Sequence, residues 1–407
     1  MRYILLSFLL LFQFEVYSQD EITPYVDFLE KEHLSPQDYI LKLFENNDIV
    51  ILGERDHRDT TQYTLILDIL ADERFIENVG HVYTEVGNIN VTEQANDLIK
   101  GEYNNIKAFN EAFSRYYMNE NWEPLWENYN RYQFLRGLTD INQTLPYDNK
   151  ITIGLTDMAF NWEGMTTERY RRFIAEEMNS AHSTRDSIMA FNFIQLFEQQ
   201  EPINGQRKAL VITNRPHAEN IDVICNQVIV KKQGHFISDV YGDRVKTIAL
   251  NWYKWMPVDW YERLIPQKRI ELSANGKWDA AFEKTGCKAV GFSFEGSPFG
   301  NDEYDYPLCN DLKWKEVFDG FIFYRPFYEF TGATGFEGLI DYEMAKEIIK
   351  REIIFDKVYG NKSNVLVNQI FRPIANWKAK KYYGTFYSYP CSNHDEMRVD
   401  MDKWLDK

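Results

Sequence analysis

The sequence predicts an α/β protein with a mostly parallel central sheet flanked by helices, in which long helical insertions form a cap. Three observations support this fold class. Short apolar runs recur along the chain, stretches with helical patterns separate them, and two of the gaps are long enough to hold whole helices. Strands that alternate with helices typically form a parallel sheet with helices on both faces.

The predicted strands are apolar runs rich in Val, Ile and Phe, bounded by polar residues or Gly. This composition is typical of strands buried on both faces of a sheet. The runs lie at residues 48–53, 81–86, 150–155, 208–213, 245–250, 288–294 and 320–326.

The predicted helices fill the gaps between these strands. The gaps at 87–149 and 157–207 are expected to be the insertions that build the cap. We assign residues 20–335 to the α/β domain and residues 336–407 to a C-terminal extension packed on it, with a helical pattern at 340–352. The other helices are predicted at residues 60–77, 92–117, 122–140, 166–199 and 216–230.

The first 19 residues have the pattern of a signal peptide. Arg2 supplies a positive start, residues 4–12 are apolar except for Ser7, and polar residues follow. Such a stretch is too short to span a bilayer, and no later stretch reaches transmembrane length. We therefore expect an exported protein, periplasmic or extracellular in a bacterium.

Composition narrows the class of partner. With 44% apolar and 16% aromatic residues, the chain of 407 residues can build a sizeable core. Its net charge of −17 argues against nucleic acid, because phosphate binding needs a basic face. The expected partner is a small-molecule substrate, and the sequence does not set the oligomeric state.

Cysteine usage is compatible with export, which permits disulfides. No two cysteines have C-x-x-C spacing, so a cysteine zinc site is disfavoured. Four cysteines allow three pairings, among which the sequence does not choose. They are Cys225, Cys287, Cys309 and Cys391.

Charged and polar side chains follow most of the predicted strands. Ligands of open parallel sheets bind outside the carboxyl ends of the strands, so these side chains are expected to converge. Singly, each has an ordinary structural explanation, such as capping a turn or a helix. In strand order they are Glu54 and His57, then Glu85, Asp157, the group Asn214, Arg215 and His217, and finally Glu295.

Two kinds of chemistry suit this set. A histidine paired with a carboxylate can take a proton from water near neutral pH, while a second histidine and an arginine stabilise an oxyanion. The same residue types can instead bind a divalent metal, with His57, Glu85 and His217 as candidate ligands. The spacing does not decide between them, and no G-x-S-x-G motif indicates a serine hydrolase of that kind.

These motifs resemble the erythromycin esterase-like superfamily, which also contains the ChaN-like haem-binding lipoproteins. The first motif is a strand followed by G-E-x-x-H, here Gly53, Glu54 and His57, and the second is a strand ending in Glu85. The superfamily's helical "RDxxMAxN" is matched by "RDSIMAFN", and its strand followed by Asn and His by "VITNRPHA". The order of the motifs agrees over residues 45–330.

The resemblance implies a general base at His57, carboxylate partners at Glu54 and Glu85, and a second histidine at His217. Such an enzyme would activate water to cleave an ester, lactone or amide and would require no cofactor. The alternative is an exported ChaN-like protein that binds haem or a metal ion without catalysis. A third hypothesis is a scaffold whose site has decayed.

The resemblance also covers the remaining candidates. Arg185 and Asp157 are assigned to catalysis, and Asp186, Asn214 and Arg215 to binding. For Arg185 and Asp186, a salt bridge that ties the cap helix to the site is an equal alternative.

Two departures bear on the substrate. Arg58, assigned to binding, stands where the esterases commonly carry Gly after the histidine. Thr213 precedes Asn214, and His217 is the one histidine where the esterases have two around the Asn. Together with the predicted export, these departures imply a substrate other than a macrolide.

Overall fold

The computed structural model describes residues 18–55, 57, 59–124, 129–178, 184–225, 228–255, 270–304, 312–334, 341–359, 385–388 and 394–405. Residues 1–17 of the predicted signal peptide, and most of the region beyond 359, lie outside this set. In the described part, no helix is long and apolar enough to cross a membrane.

The strands follow the predicted apolar runs closely in the first half of the chain. In chain order they are β1 (Ile49–Glu54), β2 (His81–Asn88), β3 (Thr152–Asp157), β4 (Ala209–Asn214), β5 (Asp222–Cys225), β6 (Val228–Lys231), β7 (Val245–Leu250), β8 (Tyr253–Trp255), β9 (Ile270–Leu272), β10 (Val290–Ser293), β11 (Gly320–Phe323), β12 (Thr331–Thr334) and β13 (Thr385–Ser388).

Helices occupy the gaps between the strands. A π-helical turn at Phe173–Met178 directly follows the helix at Thr167–Arg172. In chain order they are α1 (Ser18–Leu29), α2 (Pro36–Leu43), α3 (Thr60–Leu70), α4 (Glu73–Asn78), α5 (Thr92–Lys100), α6 (Ile106–Glu120), α7 (Tyr129–Gln143), α8 (Thr167–Arg172), α9 (Arg185–Gln199), α10 (Arg215–Ala218), α11 (Gln233–Tyr241), α12 (Lys277–Lys284), α13 (Trp314–Val317), α14 (Tyr342–Tyr359) and α15 (His394–Leu405).

The chain divides into two compact units. The larger unit, residues 40–249 and 331–387, contains a parallel sheet in the order β7-β1-β4-β2-β3. The smaller unit, residues 1–39, 250–330 and 388–407, contains the antiparallel pair β10 and β11. The predicted α/β class with a mostly parallel sheet and helical insertions is confirmed. The predicted domain boundaries stay a prediction.

The parallel sheet of the larger unit explains where its polar residues meet. All six residues of β1 are buried, as expected for a strand covered on both faces. In the register between β1 and β4, Glu54 stands opposite Asn214. Because parallel strands point the same way, the carboxyl ends of β1, β2, β3 and β4 lie at one edge of the sheet.

The predicted helix at 216–230 was wrong. Helix α10 ends at Ala218, and residues 222–225 and 228–231 form the antiparallel hairpin of β5 and β6. The segment "DVICNQVIVK" is rich in β-branched residues, which favour a pleated, half-buried surface over a helix. Because these residues form strands, only a single short turn of helix, α10, follows β4. The residues of that turn therefore lie at the edge of the sheet.

The cysteines are described in part. Cys287 carries a free thiol, and burial raises its pKa to about 11. Such a thiol stays protonated near neutral pH, which makes it a poor nucleophile. The side chains of Cys225, Cys309 and Cys391 lie outside the described residues.

The turn after β1 contains a buried ion pair. Arg55 Nε lies 2.6 Å from Asp59 Oδ2, and neither side chain is exposed. Asp59 also caps α3 by accepting a hydrogen bond from the backbone N–H of Thr61 at 2.8 Å. Asp59 is therefore both the N-cap of α3 and the partner of a buried arginine in the turn.

We expect Asp59→Ala to lower the free energy of unfolding by about 3–5 kcal/mol, because it removes the carboxylate beside a buried guanidinium. Asp72 supplies a matched control. It caps α4 in the same way, but its partner Arg74 is half exposed, with 53% of its side chain accessible. Asp72→Ala should therefore cost only about 1 kcal/mol, the value of a cap.

Urea denaturation of both variants and of the wild type measures the difference. Equal losses in the two variants would contradict a special role for the buried pair, since both aspartates cap a helix through the same kind of contact.

Candidate functional site

The site is an acidic and basic cluster at the carboxyl edge of the parallel sheet in the larger unit. Each of four neighbouring strands contributes at least one polar group there. Arg185 and Asp186 come from the first turn of α9, in the second cap insertion. The strand-end contributors are Glu54 and His57 after β1, Glu85 in β2, Asp157 at the end of β3, and Asn214 and His217 after β4.

His57 is oriented by Glu54. Its Nδ1 lies 2.5 Å from Glu54 Oε1, and only 1% of the Glu54 side chain is exposed. The second carboxylate oxygen of Glu54 accepts a hydrogen bond from the Tyr63 hydroxyl at 2.7 Å. A buried carboxylate with both oxygens engaged holds the imidazole in one orientation, with Nδ1 toward Glu54 and Nε2 toward the site.

Glu85 is anchored to the next strand by its other oxygen. Its Oε2 accepts a hydrogen bond from the backbone N–H of Asn214 at 2.8 Å and one from the Thr213 hydroxyl at 3.2 Å. Asn214 thus binds Glu85 through its backbone N–H group. This contact fixes a carboxylate that is 2% exposed at the junction of β2 and β4.

The other oxygen of Glu85 is surrounded by cationic groups. Glu85 Oε1 lies 3.0 Å from Arg185 Nη1, 3.4 Å from His217 Nε2 and 3.8 Å from His57 Nε2. Burial by itself raises the pKa of Glu85, but His217, Arg185 and His57 together outweigh it and hold the pKa well below its usual range. Glu85 is therefore a permanent anion at neutral pH.

Arg185 joins two strands. Its Nε and Nη2 bind the two oxygens of Asp157 at 3.0 and 2.9 Å, while its Nη1 contacts Glu85. Burial opposes the charge, but Asp157 and Glu85 raise the pKa of Arg185 further, so the cation is fixed. Asp157 also accepts a hydrogen bond from the Trp122 indole at 3.2 Å.

His217 is held between two carboxylates. Its Nδ1 lies 2.7 Å from Asp186 Oδ1, which also accepts the backbone N–H of Gln233 at 2.9 Å. Burial lowers the pKa of His217, but Glu85 and Asp186 outweigh burial, and the pKa is raised above its ordinary value. The imidazole therefore carries a proton over more of the neutral range than an isolated histidine.

Three predicted residues remain to be located: Arg215, Glu295 and Arg58. Arg215 is buried in the first turn of α10, with 5% exposure. Glu295 does not join the cluster: 82% of its side chain is exposed, and it lies 3.9 Å from Lys315. Its strand, β10, is antiparallel to β11 rather than part of the parallel array. Arg58 lies outside the described residues.

Two contributing residues were missed in the sequence. Tyr63 is on α3, and nothing in its sequence surroundings separates it from an ordinary core tyrosine. Glu123 lies in the loop after α6, inside a segment predicted as helix, and its charge interacts with Arg185, Asp157 and His57. The only sequence signal for Glu123 was its position next to a tryptophan at a helix boundary.

Glu54, His57 and Glu85 form a group that could hold a metal ion among the described residues. One ligand atom from each lies within 4.8 Å of the others. Carboxylate and imidazole donors suit a divalent cation. The set overlaps the sequence-predicted candidates at His57 and Glu85, with Glu54 in place of His217.

A groove of about 940 Å³ lies at the opposite end of the same sheet. Its lining includes His81, Lys100, Lys150 and Thr152, close to the points where β2 and β3 begin. Ligands of parallel sheets bind at the carboxyl ends of the strands, where the charged cluster is located. The volume of this groove is therefore no guide to the position of the chemistry.

No protein-family model and no curated protein matches the chain. Among solved structures, it is similar to a protein from Bacillus cereus, at 12% identity over 75% of this chain and 97% of that chain, with a TM-score of 0.47. A mutant of the erythromycin esterase EreC in its open conformation is similar at 9% identity over 70% of this chain and 92% of that chain, with a TM-score of 0.44.

A structure described as cofacial haem binding to ChaN of Campylobacter jejuni is similar at 13% identity, covering 57% of this chain and 91% of that chain, with a TM-score of 0.32. An erythromycin esterase and a ChaN are thus both among the similar solved structures.

The raised pKa of His217 predicts a pH dependence of stability. The protonated imidazole contributes fully below about pH 6.5, the ordinary histidine value, and the contribution is lost as pH rises through the folded pKa. Asp186→Asn removes one of the two carboxylates that raise this pKa. We expect the pKa of His217 to fall toward its ordinary value and the loss of stability above neutral pH to become smaller.

NMR titration of the His217 ring protons and urea denaturation across the neutral range measure both effects. Asp222→Asn is the control, because it alters the ion pair with His235, at 3.2 Å, outside the cluster. An unchanged His217 titration in Asp186→Asn would contradict this account.

Proposed function

We propose that this protein is an exported hydrolase that activates water through His57 to cleave an ester, a lactone or an amide of a small molecule. The observation that carries the proposal is the orientation of His57. Glu54 engages Nδ1 at 2.5 Å, so Nε2 is the nitrogen that can accept a proton. Glu54 stabilises the imidazolium that forms.

The distance to Glu85 supports the assignment of His57 Nε2 as the proton acceptor. The distance from His57 Nε2 to Glu85 Oε1 is 3.8 Å, which is too long for a hydrogen bond. Glu85 is held at that distance by Arg185 and by the backbone of Asn214. In the proposed reaction, a water molecule loses a proton to Nε2 and attacks the carbonyl carbon of the substrate.

The same cluster supplies positive charge for the intermediate. Arg185 Nη1 lies 3.5 Å from His217 Nε2, so a guanidinium and a raised-pKa imidazole stand side by side. Fixed cations of this kind stabilise the oxyanion that develops during attack on a carbonyl group. We assign this role to Arg185 and His217, and not to the buried Arg215.

The substrate is proposed to differ from a macrolide. Arg58 replaces the Gly that commonly follows the histidine in the esterases. The esterases also carry a second histidine near the Asn that corresponds to Asn214, whereas in this chain Thr213 precedes that Asn and binds Glu85. The proposed export, based on residues 1–19, also places the enzyme outside the cytoplasm.

A metal ion fits the Glu54–His57–Glu85 group poorly. The donor types are suitable, but Glu85 Oε1 already faces the Arg185 guanidinium at 3.0 Å. A divalent cation bound to the same oxygen would be repelled by that fixed charge. We therefore assign no step of the reaction to a metal. Metal or haem binding without catalysis is the second candidate function. The proximity of the three ligand atoms favours a metal, and the charge of Arg185 opposes it.

His57→Ala tests the proposed base. General acid–base catalysis contributes roughly 10²- to 10⁴-fold, so we expect hydrolysis to fall by about that factor across a panel of small esters, lactones and amides. His235→Ala is the control, because His235 interacts with Asp222 and Asp239 outside the cluster and should retain the wild-type rate. Wild-type hydrolysis by His57→Ala would overturn the assignment.

Metal removal separates the two candidate functions. We expect dialysis against a chelator to leave the rate of hydrolysis unchanged, because His57 activates the water. We also expect elemental analysis of the purified protein to show less than one equivalent of a divalent metal, and haem titration to give no shift of the Soret band. Activity that is lost with the chelator and restored by a divalent cation would transfer the activation of water to a metal.

A further inference from the structure

Strand β2 leaves the regular sheet at Glu85. The regular pairing of β2 with both β3 and β4 runs to Thr84. Along β3 the next pair is Asn88 with Asp157, so residues 85–87 of β2 face a single residue of β3. We call residues 85–87 the β2 bulge. Bulges redirect side chains and are common next to active sites.

A glycine ends the β2 bulge. Gly87 has a φ of +114°, and a side chain at this position would begin 2.8 Å from the side chain of Leu155. Glycine adopts such a conformation at little steric cost. The backbone therefore bends within two residues of Glu85, and the direction of the Glu85 side chain depends on what holds the bulge in place.

Arg131, on α7, holds the β2 bulge through two of its nitrogens. Its Nη2 donates to the Val86 carbonyl at 3.0 Å, and its Nη1 donates to the Thr84 hydroxyl at 3.4 Å. The Thr84 hydroxyl itself donates to the same Val86 carbonyl at 2.8 Å. One guanidinium thus binds the residues directly before and after Glu85.

The guanidinium of Arg131 is fixed from its other side by α6. Arg131 Nε donates to Glu120 Oε1 at 2.6 Å, and the Tyr116 hydroxyl donates to the same oxygen at 2.8 Å. Only 3% of the Arg131 side chain and 1% of the Glu120 side chain are exposed. A buried ion pair needs further hydrogen bonds to offset its desolvation, and the two contacts with β2 supply them.

The carboxylate of Glu85 bridges from the β2 bulge to the site. Its Oε2 accepts the backbone N–H of Asn214 at 2.8 Å, and its Oε1 lies 3.8 Å from His57 Nε2. Both distances depend on where the bulge places the Glu85 backbone.

We propose that Arg131 is a positioning residue of this site: it holds the β2 bulge, and through the bulge it fixes the direction of the Glu85 carboxylate. This inference rests on the proposed hydrolase function, because Glu85 belongs to that site. Arg131 acts through Glu85 and contacts no reacting atom. A planar guanidinium suits this task, because its three nitrogens bind α6 and β2 at the same time.

Arg131→Lys separates this role from that of a simple ion pair between two helices. Lysine keeps a positive charge facing Glu120, but its one nitrogen cannot also make both contacts with β2. The readout is the backbone N–H of Asn214, which is bound by Glu85 and is not touched by Arg131. We expect its hydrogen exchange to become faster by about tenfold or more, as the loss of a hydrogen bond to a charged group predicts.

Two controls exclude a general loosening of the fold. The backbone N–H of Ala209, at the other end of β4, donates to the Asp48 carbonyl at 2.9 Å and should keep its wild-type exchange rate in Arg131→Lys. Tyr132→Phe removes a hydrogen bond of 2.6 Å from the Tyr132 hydroxyl to Asn110 Oδ1, a second tie between α7 and α6. In Tyr132→Phe the exchange of Asn214 should match the wild type.

Thr84→Val tests the same bulge and leaves the ion pair intact. It removes the hydroxyl that donates to the Val86 carbonyl and accepts from Arg131, and it keeps a β-branched side chain. We expect the Asn214 N–H to exchange faster than in the wild type here too, so this variant decides if Arg131→Lys does not fold. Wild-type exchange of Asn214 in Thr84→Val would overturn the proposal.

Steady-state kinetics connect the geometry to the reaction. A misplacement of about 1 Å far from the chemistry can cost roughly 100-fold in rate, so we expect Arg131→Lys to lower kcat by about 10- to 100-fold for the esters, lactones or amides that the wild type cleaves. KM should change by less than about threefold, because the displaced carboxylate lies beside His57 Nε2, where water is activated. Tyr132→Phe should match the wild type in both constants.

The possible failures are distinguishable. If the wild type cleaves no member of the panel, the proposed function fails, and the role of Arg131 in the reaction fails with it. If the wild type is active and Arg131→Lys matches it in Asn214 exchange or in kcat, only the role of Arg131 is overturned.

Discussion

The bidentate contact between Arg185 and Asp157, extended to Glu85, is the interaction on which the cluster depends. Several carboxylates meet at one sheet edge, and each buried ion costs several kcal/mol in desolvation unless it is paired. One guanidinium on the first turn of α9 neutralises the ends of β2 and β3 at once. The second cap insertion is therefore part of the site and not only a cover over it.

The same cluster sets opposite proton affinities in neighbouring carboxyl groups. Glu85 touches cations on one oxygen and backbone and hydroxyl donors on the other, so its pKa falls. At Glu123, burial outweighs the opposing effects of Arg185 and His57, so its pKa rises to about 7. The pKa values of these two glutamates differ because neighbouring cations prevail at one and burial prevails at the other.

The sheet and the strand-end groups could be predicted because parallel strands carry long apolar runs, and Glu85 stood out as a charge inside one of them. The burial of Arg55 and Asp59 could not be predicted, because a charged turn has the same composition whether it faces solvent or packs under α3. The hairpin at residues 222–231 was predicted as helix because short apolar runs fit both periodicities. Glu123 was hidden for a related reason: a helix boundary gives no signal of what the loop beside it contacts.

The orientation of His217 depends on a glycine in the neighbouring helix α11, Gly234. A side chain on Gly234 would begin 2.3 Å from the carbonyl oxygen of Ala218, so only glycine lets α11 approach α10 this closely. That approach brings the backbone N–H of Gln233 to 2.9 Å from Asp186, the carboxylate that binds Nδ1 of His217. The direction of the imidazole is thus set by helix packing, through one backbone donor and one carboxylate, and a larger residue at position 234 would disturb the site without contacting it.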